Sequence, residues 1–226
     1  MAIGGSRVLA VLPEGWHVGI SPPKEKAHAR IPALIVVAAV LLPAVAAGQA
    51  KQPGAPMTKD AKIKNAMSAA PATLAAKASV MDWPAKEGDK PTELRAGSNG
   101  YTCFPDFPAT EGNDPMCVDQ PWLDFVNAMM TKAPPKVSSI GIGYMIAPGG
   151  AMGSNTDPYA EKATPTNEWG FDGPHLMLVV PNPDLVAGLP TKRQTGGPFV
   201  MWSSTPYAHV MVPITEWKAP SGAPKP

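Results

Sequence analysis

The sequence predicts an α+β protein in which short N-terminal helices and one middle helix pack on a mainly antiparallel sheet. Two observations predict this class. Short apolar segments with strand-like patterns are separated by connectors rich in Pro and Gly, of which the chain has 29 and 21. In the later part of the chain, a single segment places its apolar residues at helical spacing.

Capping residues mark the helical segments. Thr58 precedes a segment in which apolar residues recur at helical spacing, and Pro71 ends or kinks that segment. Asp119 precedes the middle helix, which is predicted over 121–132 with Pro121 at the favoured first position.

Strands are predicted from apolar patterns flanked by turn residues. The segments 93–96 and 101–104 are expected to form a hairpin, because Asn99-Gly100 between them accepts the backbone angles of a tight turn. The polar stretch 153–170 has little periodicity, and an ordered loop of that length is uncommon unless it serves a site. The other predicted strands cover 79–83, 137–146, 175–180, 198–202 and 207–214.

The N-terminal region has the layout of a signal peptide. Basic residues precede the uncharged apolar run 31–42, which is shorter than the roughly 20 residues of a membrane-spanning helix. We therefore expect a periplasmic or secreted location with no membrane attachment after cleavage; the alternative is a retained N-terminal membrane helix. The predicted organisation is a signal peptide with a long basic lead-in over 1–50, a flexible leader over 51–57, a single globular domain over 58–217 and a disordered Pro-rich tail over 218–226.

The balance of charges and the number of cysteines limit the classes of function that the sequence allows. From Lys51 onward the chain has 15 Lys/Arg and 16 Asp/Glu, a formal net charge of −1, so no basic field is available to hold nucleic acid. Cys103 and Cys117 are the only cysteines, and in an oxidising compartment they are expected to form one disulfide. A cysteine metal site or redox pair is the alternative.

The most specific candidate for a metal site is a repeated His/Met pattern. His175 and His209 are the only histidines after the apolar run, and each is followed two residues later by a methionine, Met177 and Met211. Side chains two apart on a strand share a face, so neighbouring strands could bring two imidazoles and two thioethers together. That ligand set favours copper, as Cu(I). The alternative is that these residues pack in the core.

An enzyme is the second possibility. In a hydrolase-like site, His175 or His209 would act as a general base and Asp172 or Asp157 would orient it. The motifs of zinc proteases, P-loop proteins and dinucleotide-binding proteins are absent from the sequence.

Binding of a small molecule without chemistry is a further possibility, for which Trp169, Tyr207 and Asp172 are the candidate residues. Aromatic walls with a few polar groups are the usual way in which small ligands are held. The remaining alternative is a structural or interaction module.

Several segments are spread over nearly the whole part of the chain after the signal peptide: Ser68-Ala69-Ala70-Pro71, residues 94–103, Asn113-Asp114-Pro115-Met116-Cys117, Gly143-Tyr144-Met145, Ser154-Asn155-Thr156-Asp157-Pro158, Gly173-Pro174-His175-Leu176-Met177 and residues 205–213. At these segments the chain resembles a group of exported bacterial hypothetical proteins. The resemblance implies export, a single domain and pairing of Cys103 with Cys117, and it implies no activity or cofactor.

Overall fold

The computed structural model describes residues 57–86, 88–193 and 196–218. All of them belong to the second of two compact units, which spans Val45–Pro226. The predicted signal peptide and most of the predicted leader and tail lie outside the described residues. No helix among the described residues is long and apolar enough to cross a membrane.

Three α-helices, one short 3-10 helix and eleven strands make up the described part of the chain. The helices are α1 (Lys59–Met67), α2 (Ala72–Ala75) and α3 (Gln120–Met130), and the 3-10 helix is Pro183–Val186. The strands are β1 (Ser79–Asp82), β2 (Thr92–Arg95), β3 (Thr102–Phe104), β4 (Gly112–Asn113), β5 (Met116–Val118), β6 (Gly141–Met145), β7 (Gly150–Ser154), β8 (Trp169–Asp172), β9 (His175–Val179), β10 (Phe199–Met201) and β11 (His209–Pro213).

The strands form two sheets. The large sheet has the order β10-β11-β9-β6-β5-β3-β1-β2, and the small sheet has the order β4-β7-β8. Every strand pair is antiparallel except β1 with β3, which is parallel. The predicted α+β class with a mainly antiparallel sheet is therefore confirmed.

The helices begin where capping residues predict. Thr58 accepts a hydrogen bond from the amide of Ala61 at the start of α1, and Asp119 accepts one from the amide of Trp122 at the start of α3. A second oxygen of Asp119 accepts from the amide of Ile142, so the same side chain also fixes α3 to β6. Each cap satisfies a backbone donor that the helix leaves unpaired.

The two main helices cover opposite faces of the large sheet. Cys117 packs in a cluster with Ala66 of α1, whereas its neighbour Val118 packs in a cluster with Trp122 of α3. Adjacent residues on a strand point to opposite faces. Helix α3 lies close to β6, since a Cβ at Gly143 would come within 3.3 Å of Trp122 Nε1.

The predicted hairpin between β2 and β3 is wrong. Strand β1 lies between them, pairing with β2 on one side and with β3 on the other. The turn at Asn99-Gly100 does form, with Gly100 at a φ of +77°. However, the Asn99 amide donates to the Leu74 carbonyl and the Ser79 amide donates to the Tyr101 carbonyl. These tertiary contacts direct the chain after the turn alongside β1 instead of β2.

Cys103 and Cys117 form the expected disulfide. The two residues are directly opposite one another on β3 and β5, and both side chains are fully buried. The bond therefore crosslinks neighbouring strands of the large sheet within the cluster beneath α1.

Reducing this disulfide should lower the free energy of unfolding by about 3 kcal/mol, the loop-closure value for a short loop. Urea unfolding of the chain with and without reductant measures this difference. A Cys103→Ala/Cys117→Ala variant should match the reduced chain and show no response to reductant. Equal stability of the oxidised and reduced chains would contradict the prediction.

Candidate functional site

The strands that carry the His/Met pattern are neighbours, but the four side chains do not meet. In the antiparallel pairing of β9 with β11, Met177 lies opposite Met211 and His175 lies opposite Pro213. His209 is therefore four residues out of register with His175, a separation of roughly 14 Å along the strands at about 3.4 Å per residue. Metal–imidazole bonds are about 2 Å long, so one ion cannot bind both histidines.

The two methionines occupy the core between the two histidines. Met177 and Met211 are 5% and 2% exposed and belong to the cluster beneath α3. The expected four-ligand copper site therefore does not form. The strand register brings the two thioethers together but places the two imidazoles at opposite ends of one sheet face. Methionine fills core space in this way in many proteins.

His209 is enclosed by aromatic rings. Its ring centroid lies 5.3 Å from that of Trp122, 5.9 Å from Phe125 and 4.8 Å from Trp202, all in edge-to-face geometry. Burial lowers the pKa of His209 to about 4, and the hydrogen bond from its ring to the Tyr207 carbonyl opposes that effect only in part. His209 is therefore a neutral, packed residue at physiological pH.

His175 is equally buried but has a different neighbourhood. Its Nδ1 donates to the Gly173 carbonyl, which leaves Nε2 as the ring atom with a free lone pair. Among the described residues, Nε2 has no hydrogen-bond partner. His175 lines a cavity of about 10 Å³ at the junction of the two sheets. The walls of this cavity, which we call the His175 cavity, are Asn113, Asp114, Pro115, Met145, Ala147, Gly150, Asp172, Gly173 and His175.

The predicted pairing of a histidine with a carboxylate is wrong for both candidate partners. Asp172 binds Arg193 through both carboxylate oxygens, at 2.8 and 3.1 Å, instead of orienting His175. Asp157 accepts from the amide of Tyr159 within its own loop. A hydrolase-like site would need a carboxylate that orients the histidine, and neither predicted carboxylate does so.

The residues predicted to bind a small molecule lie in three different surroundings. Asp172 borders the His175 cavity, and Tyr207 is buried with its hydroxyl donating to the Ala133 carbonyl. Trp169 is half-buried at the start of β8, where it pairs with Ser154 of β7. The three do not line a common pocket.

The long polar stretch folds into a closed loop between β7 and β8. Its ends meet because Ser154 pairs directly with Trp169. The Ser154 hydroxyl donates to the Asn167 carbonyl and accepts from the amide of Asp157. Asn167 in turn accepts from the Thr164 amide and donates to the carbonyl of Lys162. Compact loops whose ends are close are frequently functional.

The loop is also fixed to the body of the domain. Asn155 is 1% exposed, and its side-chain amide donates to Glu168 and to the Thr191 carbonyl. The backbone amide of Trp202 donates to the Asn155 carbonyl. Three separate chain segments therefore hold the base of the loop in one position.

This loop forms an open groove of about 420 Å³, which we call the loop groove. Its walls carry hydroxyl, carboxylate, amide and ammonium groups together with one aromatic ring. Pockets for small ligands have volumes of about 300 to 1,000 Å³. The lining residues are Thr156, Asp157, Tyr159, Ala160, Glu161, Lys162, Thr164, Thr166 and Asn167.

Tyr159 is the aromatic residue of the loop groove and is held in place from three sides. Its hydroxyl donates to the Met129 carbonyl, its ring lies edge-to-face with that of Tyr207, and the Lys132 ammonium lies 5.7 Å from its ring centroid. Partial burial, together with the neighbouring Tyr207 hydroxyl, raises the pKa of Tyr159 to about 12. The phenol is therefore neutral and remains a hydrogen-bonding group at physiological pH.

Comparison with protein-family models, curated proteins and solved structures found no match to this chain. Within the described ranges, no group of three or more His, Cys, Asp or Glu side chains is placed to hold a metal ion.

The sequence pointed to the loop groove only by the length of an aperiodic stretch. It singled out His175 and Asp172, which line the His175 cavity, but it did not predict the cavity itself. That cavity needs the small sheet, which was not predicted. Strand β4 has two residues, and β7 contains Gly150 at a φ of +100°, a conformation that non-glycine residues rarely adopt. Such strands lack the apolar alternation by which strands are recognised.

Replacing His209 by Gln should remove an acid-labile contribution to stability. The pKa of His209 is about 4 in the folded chain against an ordinary 6.5, so the unfolded chain binds the proton first. Stability from neutral His209 is complete above pH 6.5 and is lost as the pH falls to 4, a change of about 3 kcal/mol.

The measurement is urea unfolding of the wild type and of His209→Gln between pH 7 and pH 4. Glutamine does not titrate, so the stability advantage of the wild type should shrink by this amount on acidification. The lowered pKa of His175 is common to both proteins and cancels in the comparison. Parallel stability curves would show that His209 is not a buried neutral residue.

Proposed function

We propose that this chain is an exported protein whose folded domain binds a small, uncharged, polyhydroxylated ligand of the sugar class in the loop groove. The observation that carries the proposal is that the loop groove is held in shape by buried polar side chains, with Ser154 and Asn167 bracing its two arms. A binding site that is formed in advance avoids the entropic cost of ordering a loop around its ligand.

Export is proposed from two features. The N-terminal segment resembles a signal peptide, and the disulfide between Cys103 and Cys117 belongs in an oxidising compartment. A periplasmic or secreted location accounts for both. A protein in such a location meets small solutes that enter from outside the cell.

The ligand class follows from the groups that line the loop groove. Asp157 and Glu161 are acidic whereas Lys162 is basic, so the lining has no single strong charge that would select an ion. The threonine hydroxyls can both donate and accept hydrogen bonds. Such a mixture is complementary to vicinal hydroxyl groups.

The aromatic residue adds an apolar contact. Tyr159 remains 43% exposed although its hydroxyl and one ring edge are engaged. An exposed ring beside hydrogen-bonding groups provides a surface for the C–H face of a sugar ring, while the polar groups bind its hydroxyls. This combination of one apolar wall and several polar groups is typical of small-ligand sites.

Replacing one carboxylate of the loop groove by an amide and removing one hydroxyl should weaken sugar binding. The variant is Glu161→Gln/Thr166→Val, in which both altered side chains are exposed in the loop. The matched control is Glu93→Gln/Thr92→Val, which makes the same two changes at exposed positions of edge strand β2. Titration with glucose and with maltose, followed by NMR chemical shifts, measures the dissociation constants.

We expect the loop variant to bind at least tenfold more weakly, about 1.4 kcal/mol, while the control binds like the wild type. Both variants should melt at the wild-type temperature, because exposed substitutions cost little stability. Failure of the wild type to bind either sugar, or equal weakening by both variants, would overturn the proposal. Tight binding of a charged solute such as citrate or spermidine in place of sugar would show that the ligand class is wrong.

A further inference from the structure

The His175 cavity has a feature that the loop groove does not explain. His175 is 3% exposed and lines the cavity, and its Nε2 has no hydrogen-bond partner among the described residues. Leaving a buried polar atom unpaired costs about 1 to 3 kcal/mol. A buried atom of this kind therefore calls for a partner within the cavity.

The size of the cavity limits that partner to a single small species. Its volume of about 10 Å³ corresponds to one water molecule or one ion. An organic ligand does not fit.

A second soft donor lies beside the imidazole. Met145 of β6 is directly opposite His175 of β9 in the antiparallel pairing, and both side chains border the cavity. Side chains directly opposite one another on antiparallel strands have Cβ atoms about 5 Å apart, which places a thioether and an imidazole within reach of one ion. Met145 itself is only partly buried.

The two acidic residues that line the cavity already have partners. The carboxylate of Asp172 binds Arg193. The carboxyl group of Asp114 accepts hydrogen bonds from the Phe107 amide and the Thr110 hydroxyl. Among the described residues that line the cavity, His175 Nε2 is the buried side-chain atom that lacks a hydrogen-bond partner.

We infer that the His175 cavity binds one Cu(I) ion, coordinated by His175 Nε2 and by the thioether of Met145. Thioether and imidazole together select Cu(I) over hard cations. The site differs from the four-residue set predicted from the His/Met repeat, because Met145 replaces Met177, Met211 and His209 as the partner of His175.

The test is a titration of the full chain with Cu(I) under anaerobic, reducing conditions, in competition with a chromogenic Cu(I) chelator. Met145→Leu removes the thioether and keeps a side chain of similar volume, a change that cores tolerate. Met211→Leu is the matched control, since it makes the same change in the core methionine pair. The nitrogen-15 NMR signal of the His175 ring is recorded in each titration.

We expect one Cu(I) per wild-type chain, a shift of the His175 Nε2 signal, affinity at least tenfold lower in Met145→Leu, and unchanged affinity in Met211→Leu. An unshifted Nε2 signal would mean that the cavity holds only a water molecule and would overturn the inference. So would wild-type affinity in Met145→Leu, or loss of binding in Met211→Leu. Maltose binding by Met145→Leu should equal that of the wild type, which separates this test from that of the loop groove.

Discussion

Burial of one face of the large sheet beneath α3 is the constraint on which the rest of the domain depends. Trp122 of α3 donates to the Met177 carbonyl of β9 and contacts the His209 ring of β11. Gly143 of β6 provides the close approach that this packing needs. The helix therefore joins three central strands into one closed apolar layer, and any polar group in that layer is removed from water.

The two histidines have different roles because they lie in different surroundings within this layer. His209 lies at one end of this face, where aromatic rings surround the imidazole and burial keeps it neutral. His175 lies at the other end of the same face, where the layer meets the small sheet and where Asp114 and Asp172 line the same cavity. The same residue type on the same sheet face is thus a packing residue in one position and a candidate ligand in the other.

The sequence predicted those parts of the fold that depend on local interactions. The caps at Thr58 and Asp119 act within one helical turn, and the apolar strands of the large sheet other than β5 follow from their own residues. The hairpin prediction failed because Asn99 and Tyr101 bond to residues far from them in the chain. Local turn chemistry sets the shape of a turn, whereas the partner of the strand that follows depends on tertiary contacts.

The candidate sites were harder to predict for the same reason. A repeat of His-x-Met identifies residues on one sheet face, but it carries no information about register, and a shift of four residues separates the two imidazoles. Met145 became the partner of His175 only through the pairing of β6 with β9. Cross-strand neighbours are set by the whole sheet, so a single sequence cannot identify them.

Arg193 connects the two candidate sites physically. Its guanidinium binds the carboxylate of Asp172 at the wall of the His175 cavity, and it also donates to the carbonyls of Gly153 and Glu168. Those two carbonyls flank the points at which the loop leaves β7 and returns to β8. A planar guanidinium with five donors can hold three partners in fixed positions at once, which a lysine ammonium does less well. One side chain therefore contributes both to the base of the loop groove and to the wall of the cavity.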